Sequence, residues 1–219
     1  MTDSPSPTGG SHARCRIVIL AKAPVPGDVK TRLIPALGAE RAAGLAARML
    51  RHALAEAQAA CLGTVELCAA PSPGAPALRP VLAALPAPGL ASLELSAQGP
   101  GGLGERMGRA FDRGLSCDPK VLLIGTDCPA LRAGTLRAAA AALDSHDAVF
   151  VPALDGGYAL VGLRRFLPAL FEGIPWSTQG VMAETRRRLQ AHGRPWHELP
   201  ALPDIDEPAD LCHVPADWL

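Results

Sequence analysis

The sequence has no net charge to offer a partner: 21 Lys and Arg balance 21 Asp and Glu, with a pI near 7.0. No long-range field then draws in nucleic acid or a membrane surface, so any anion must be held by a local cluster. No apolar run approaches the roughly 18 residues of a membrane span, which implies a soluble, cytoplasmic protein. Cysteines 15, 61, 68, 117, 128 and 212 form no C-x-x-C pair and read as free thiols in a reducing compartment. The six histidines show neither H-x-x-x-H nor H-E-x-x-H spacing, which argues against a zinc site. His192, His197 and the adjacent Cys212-His213 read as structural. Aromatics are only 4% of the chain, and Ala, Leu, Pro and Gly dominate, as in a globular domain with many turns. The opening MTDSPSPTGGSHAR has no apolar signal core, so 1–14 reads as a disordered tail and 15–219 as one domain.

What is present is alternation. Short apolar runs predict strands over Arg16–Ala21, Thr64–Ala69, Ser92–Ser96, Lys120–Gly125, Ala148–Pro152 and Tyr158–Gly162. Alanine-rich helical patterns fill Ala39–Ala60, Ala75–Leu85, Leu103–Gly114, Gly134–Leu143 and Thr178–His192. This order argues for an α/β domain with a largely parallel sheet. The Pro-rich Ala70–Leu90 reads as surface connection around one short helix. The stretch DAVFVPALDGGYALVGL departs from the alternation: two apolar runs flank Asp155-Gly156-Gly157, as in two extended segments joined by a tight turn.

Ligands of open α/β sheets sit beyond the carboxyl ends of the strands, and the unusual residues gather in those loops. AKAPVPGDVKTR follows the first strand. It is not a P-loop, because G-x-x-x-x-G-K-[ST] fails at both glycines. Its Lys22, Lys30 and Arg32 nevertheless suit phosphate, with prolines to stiffen the loop; the alternative is a solvated surface loop. QGPGGLGERM satisfies G-x-G-x-x-G at Gly99, Gly101 and Gly104, but after the third strand rather than the first, which argues against NAD. Its glycines suit a close backbone approach, or simply a turn before a helix, and the Gln98 amide could read a base edge. VLLIGTDCPAL delivers Thr126 and Asp127 to the end of a buried strand. A carboxylate there suits Mg²⁺ or Mn²⁺ completed by phosphate oxygens, or else caps the next turn. A second acid could come from LPDIDEPADL, through Asp204, Asp206 or Asp210; Asp206 before Glu-Pro also suits a helix N-cap.

AKAPVPGDVKTRL, GLGERM, GTDCPAL, DGGYALVGL and WST, in order from about Arg16 to Leu211, resemble a bacterial family of small GT-A-type transferases. These are the radical-SAM- and selenodomain-associated, arsenosugar-biosynthesis-type glycosyltransferases, relatives of molybdenum-cofactor and phospholactate nucleotidyltransferases. The resemblance implies a Rossmann-like nucleotide-diphospho-sugar transferase fold: a three-layer α/β/α sandwich with a mostly parallel central sheet. It implies a Mg²⁺ or Mn²⁺ ion on Asp127 and Asp206, and a nucleotide held by Ala21, Lys22, Lys30, Arg32, Gln98, Gly102, Thr126 and Asp127. Asp155, Gly156, Gly157, Trp176, Ser177 and Thr178 would face the acceptor, with Asp155 and Lys30 catalytic. Two bland readings stand beside this one: Asp155 as turn former, and Trp176 as packing with Ser177 or Thr178 as helix cap. One departure matters. Glycosyltransferases of this fold usually carry D-x-D, whereas Asp127-Cys128-Pro129 has one acid, as in related nucleotidyltransferases. Sugar transfer from a nucleotide sugar to a small acceptor is therefore the leading expectation. Transfer of a nucleoside monophosphate from an NTP is the second, and a non-catalytic nucleotide binder the third. A monomer or small homo-oligomer is expected.

Overall fold

The computed structural model describes residues 14–218; apart from Arg14, the expected tail lies outside them. Seven strands share one sheet: β1 (Cys15–Lys22), β2 (Val65–Ala70), β3 (Leu93–Ala97), β4 (Lys120–Ile124), β5 (Ala148–Pro152), β6 (Tyr158–Leu163) and β7 (Trp196–Glu198). Their order is β3-β2-β1-β4-β6-β5-β7, and β6 alone runs antiparallel to its neighbours. Seven helices accompany them: α1 (Ile34–Leu37), α2 (Ala39–Ala60), α3 (Arg79–Ala83), α4 (Ala87–Ala91), α5 (Leu103–Leu115), α6 (Ala133–Ala142) and α7 (Val181–Ala191).

Side chains alternate across a strand, and β1 uses both sides. Ile17, Ile19 and Ala21 join Leu54 of α2, Val81 of α3 and Leu136 of α6 in one buried cluster. Val18 points the other way, toward Met107 and Phe111 of α5 and Met182 and Leu189 of α7. Helices thus cover both faces, giving the expected three layers. A third, smaller cluster lies outside the sheet: Leu33, Ala42, Leu45 and Met49 enclose Ile205 and Val214. It fastens the loop after β1 to the chain's C-terminal segment.

The expected strands and the Asp155 turn are present, with boundaries shifted by a residue or two. The helix expected over Ala75–Leu85 is instead a 3-10 turn, Pro76–Leu78, running into the short α3. A separate α4 follows inside the Pro-rich connection, with a proline in its first turn, where no amide donor is needed. Strand β7 carries no apolar alternation of its own; it exists because β5 offers a free ladder edge, pairing Val149 with His197. Helix α7 begins at Val181 rather than Thr178.

Strand order reverses between β1 and β4: β2 and β3 lie to one side, β6, β5 and β7 to the other. At such a switch point the loops leaving the two central strands diverge and leave a crevice. Those loops carry Lys30 and Asp127.

Candidate functional site

The loop after β1 ends on Lys30, held in the left-handed backbone region at φ 49° and ψ 40°. That conformation costs a non-glycine residue on the order of 1–2 kcal/mol. It turns the Lys30 side chain inward, where only 6% is exposed; Nζ lies 2.6 Å from Asp127 Oδ1 and also donates to the Ile205 carbonyl. Asp127 itself is 54% exposed, and the Thr126 hydroxyl donates to its Oδ1 at 3.4 Å. The next basic residue, Arg32, reaches Asp206 at 2.7 Å and Glu207 at 3.7 Å. Lys22 ends β1 and is exposed.

The C-terminal segment arrives because Ile205 is fully buried and its N–H donates to the Asp127 carbonyl at 2.8 Å. With Ile205 inward, Asp204 and Asp206 flank the crevice. Burial together with the charge of Asp155, and to a lesser degree of Asp210 and Asp127, raises the Asp204 carboxyl above the ordinary range. Cys128 is likewise pushed up to about 11, chiefly by burial, with Asp204 and Asp127 adding to it. Asp206 does not cap the following helix. Glu207 holds the N-cap position before Pro208, and Asp210 Oδ2 accepts from the amides of Asp206 and Glu207 at 3.0 and 2.7 Å. The capping expectation for Asp206 is corrected, and its carboxylate is left for Arg32.

The hairpin turn comes to the same end of the sheet. Asp155 Oδ1 accepts from the Gly157 amide at 2.8 Å and the residue is exposed. Gly156 has φ 92°, and a Cβ there would stand 2.3 Å from the Gln179 carbonyl. Only glycine lets the turn meet the start of α7, where the Met182 amide donates to the Gly156 carbonyl at 2.9 Å. Thr178 does not cap α7. Its hydroxyl donates to the Pro175 carbonyl at 2.7 Å and accepts from the Gly180 amide, while Ser177 is exposed with φ 63°. The Trp176 ring meets Tyr158 edge-on, with centroids 6.3 Å apart. Its other side lines a cavity of about 750 Å³ between α5 and the 166–176 loop, with Phe166, Phe171 and Gly104. Trp176 is therefore both packing and wall.

Gln98 overturns its expectation. It is buried; Nε2 donates to the Ala21 and Cys68 carbonyls at 2.9 and 3.1 Å, and Oε1 accepts from Arg106 at 3.2 Å. Its amide ties β1 to β2 and has no donor left for a base. Ala21 is buried beneath it, so it serves as scaffold. Gly102 is the N-cap of α5, and its N–H donates to Glu105 Oε2 at 2.7 Å. Arg106 and Arg109 fold back on the carbonyls of Gly101 and Gln98 at 2.9 Å each, holding the glycine loop. The sequence reading did not single out Glu105, Arg106 or Arg109. Arg109 lies one helical turn beyond both Glu105 and Arg106, which directly follow the G-x-G-x-x-G run, and that i, i+3, i+4 pattern is the signal that could have found them.

Among the described residues, no three His, Cys, Asp or Glu side chains converge as a metal cage. Mg²⁺ and Mn²⁺ do not need such a cage, because these ions take one or two carboxylates and fill their shell with phosphate oxygens and water. Asp127, exposed and with neighbouring acids, fits that donor set.

A family model described as an uncharacterized protein conserved in bacteria, DUF2064, matches residues 49–178. The chain belongs to the DUF2064 family. No curated protein matches this DUF2064 chain in sequence. Among solved structures, it is similar to a provisionally assigned nucleotide-diphospho-sugar transferase from Desulfovibrio desulfuricans G20. The identity is 30% and the TM-score 0.77, over 91% of this chain and 85% of that one. A nucleotidyl transferase from Methanothermobacter thermautotrophicus aligns at 12% identity and TM-score 0.61, over 94% and 97%. Glucosyl-3-phosphoglycerate synthase from Mycobacterium tuberculosis, in complex with Mn²⁺ and UDP, aligns at 10% and 0.54, over 92% and 75%. The fold of this DUF2064 protein is that of the nucleotide-diphospho-sugar transferases and nucleotidyltransferases. Among the described residues, no helix is long and apolar enough to cross a membrane.

Proposed function

We propose that this DUF2064 protein is a metal-dependent glycosyltransferase that moves a sugar from a nucleotide-diphosphate-sugar donor to a small acceptor. One observation carries the reading: at the switch point, a buried Lys30 and an exposed Asp127 meet at 2.6 Å, with Arg32 and Asp206 paired beside them. Cations for phosphate and acids for a metal thus share one crevice. The likeness at 30% identity to a provisional nucleotide-diphospho-sugar transferase, and the resemblance to selenodomain-associated glycosyltransferases, support the donor class.

Lys22, Lys30 and Arg32 would bind the diphosphate and stabilise charge as the leaving group departs. Asp127, with a second acid from the Asp204–Asp206 segment, would hold the cation, which when bound supplies Lewis-acid stabilisation of that diphosphate. Asp155 keeps one oxygen on the Gly157 amide; the other would take the acceptor's hydroxyl proton in an inverting transfer. Gly156, Gly157 and the Trp176–Thr178 stretch would frame the acceptor. With the Gln98 side chain committed to the sheet, recognition of the base falls to the backbone of the 99–102 loop and to Gly102.

A second reading, nucleotidyl transfer with release of pyrophosphate, is favoured by the lone acid after β4, Asp127-Cys128-Pro129. One experiment separates the two. The protein and Mn²⁺ are incubated with a panel of nucleotide sugars and pyrophosphate, and the nucleotides are resolved by chromatography. A nucleoside diphosphate that appears with wild type and not with Asp127→Ala supports sugar transfer. A nucleoside triphosphate means pyrophosphorolysis and replaces the proposal with the second reading. Product formation by Asp127→Ala at the wild-type rate sinks the metal mechanism in either form.

A further inference from the structure

The Lys30–Asp127 pair is asymmetric. The ammonium is withdrawn from solvent while its carboxylate partner is more than half exposed, so the open side of the pair is the acid. Three constraints hold the ammonium there. Lys30 sits in a left-handed backbone conformation, its Nζ also donates to the Ile205 carbonyl, and the Ile205 amide donates to the Asp127 carbonyl at 2.8 Å. Leu33 and Ile205, both fully buried in the same apolar cluster, clamp the two segments together. A buried ammonium is costly to leave unpaired. A cation approaching Asp127 therefore finds a positive charge already on Oδ1, with no route to solvent except by exchanging one anionic partner for another.

On the strength of these contacts, and resting on the metal-dependent reading above, we infer that Lys30 is the placeholder for the divalent cation at Asp127. It neutralises the carboxylate when the site is empty and keeps affinity for the free cation low. A phosphate that draws the ammonium away opens the position. One ion pair then becomes two: the cation on Asp127, and Lys30 on phosphate. Cation and phosphate consequently favour each other's binding by the same factor. Arg32 and Asp206, paired at 2.7 Å with both side chains around half exposed, stand at the rim and constrain the exchange less.

The test is Mn²⁺ binding to the full chain with no nucleotide or phosphate present, read from the electron paramagnetic resonance signal of the free ion. Lys30→Met should bind Mn²⁺ at least tenfold more tightly than wild type. Lys30→Gln, which keeps a donor for the Ile205 carbonyl, should behave alike and carries the comparison if the methionine variant does not fold. Lys30→Arg, retaining the charge, should stay as weak as wild type. Adding Asp127→Asn to the Lys30→Gln background should abolish the gain. Equal Mn²⁺ affinity in wild type and the folded neutral variants overturns the inference, as does a gain that survives Asp127→Asn. Either result, combined with turnover that still requires a cation, leaves the metal-dependent reading standing. Turnover that needs no cation sinks that reading itself.

Discussion

At the scale of single residues, Gln98 and Asp155 show how alike a ligand contact and a structural contact look in a sequence. Gln98 sits in a glycine-rich loop, where an amide suggests base recognition; in the fold its donors satisfy the buried Ala21 and Cys68 carbonyls. Gln98→Ala removes both hydrogen bonds, at about 0.5–1.5 kcal/mol each, or about 1–3 kcal/mol together. For a chain of this size that is a fall in melting temperature of roughly 2–12 °C. Calorimetry should show that loss, while competition among UDP, GDP and CDP leaves the base preference unchanged; a reversed preference would restore the base-reading role. Asp155 is the opposite case. Asn at 155 keeps an oxygen for the Gly157 amide, so Asp155→Asn should melt with wild type. It should nonetheless lose roughly 10²–10⁴ in kcat, the usual worth of a positioned general base, with KM for the donor little changed. An unaltered kcat would reduce Asp155 to a turn former.

Elements explain why the site residues meet at all. Ile205 belongs to no helix or strand, yet it is fully buried with Leu33 and Met49 and brings Asp206 and Glu207 to Arg32 in the loop after β1. Ile205→Ala should cost about 2–5 kcal/mol by cavity formation. It should also weaken nucleotide binding, because the Lys30 contact to residue 205 is made with the backbone that moves. A thermal shift without a change in nucleotide Kd would separate the clamp from the site. Helix α6 is positioned in a related way, from outside its own sequence: Glu56 on α2 accepts from its Ala133 amide at 2.7 Å and from Arg132 at 3.1 Å. Burial raises the Glu56 carboxyl, but those two donors, with the charges of His52 and Arg132, prevail and hold it below the usual glutamate range. A folded pKa below the unfolded value means stability present above about pH 4.5 and lost as pH falls through the lower folded value. Glu56→Gln should accordingly lower the melting temperature at pH 7 by an amount that shrinks steadily in melts run at progressively more acidic pH below 4.5. The strands and principal helices were legible because burial on two faces writes itself as apolar runs and 3.6-residue periodicity. The α6 cap, β7 and the Ile205 clamp were not, since each depends on a partner far along the chain. The same holds for the site: its loops were legible from strand ends, but the pairing of Lys30 with Asp127 and of Arg32 with Asp206 spans 97 and 174 residues.

Across the whole molecule, charge is handled in opposite ways at the two ends of the sheet. At the carboxyl end, Asp127, Arg32 and Asp206 are exposed and can exchange partners. At the amino end, Arg16 of β1 is buried between Glu66 of β2 and Asp118 ahead of β4, at 3.0 and 2.9 Å, and reaches Glu94 of β3 at 2.5 Å. Arg113 of α5 also pairs with Glu66. The Glu66 and Asp118 side chains are each only 2% exposed, and removing Arg16 leaves Glu66 to Arg113 and Ser96 and Asp118 to the largely exposed Arg14 at 3.5 Å. Breaking a buried pair from one side costs about 3–5 kcal/mol, whereas replacing all its members can be neutral. Arg16→Met should therefore lower the melting temperature by roughly 6–20 °C, and combining it with Glu66→Gln and Asp118→Asn should recover much of the loss. Nucleotide binding, measured well below the new melting point, should match wild type in both variants, because no site residue shares a contact with this network. Impaired binding in a folded Arg16→Met protein would instead mean that the two ends of the sheet are energetically coupled, and that the crevice depends on a charge network at the far end of its own strands.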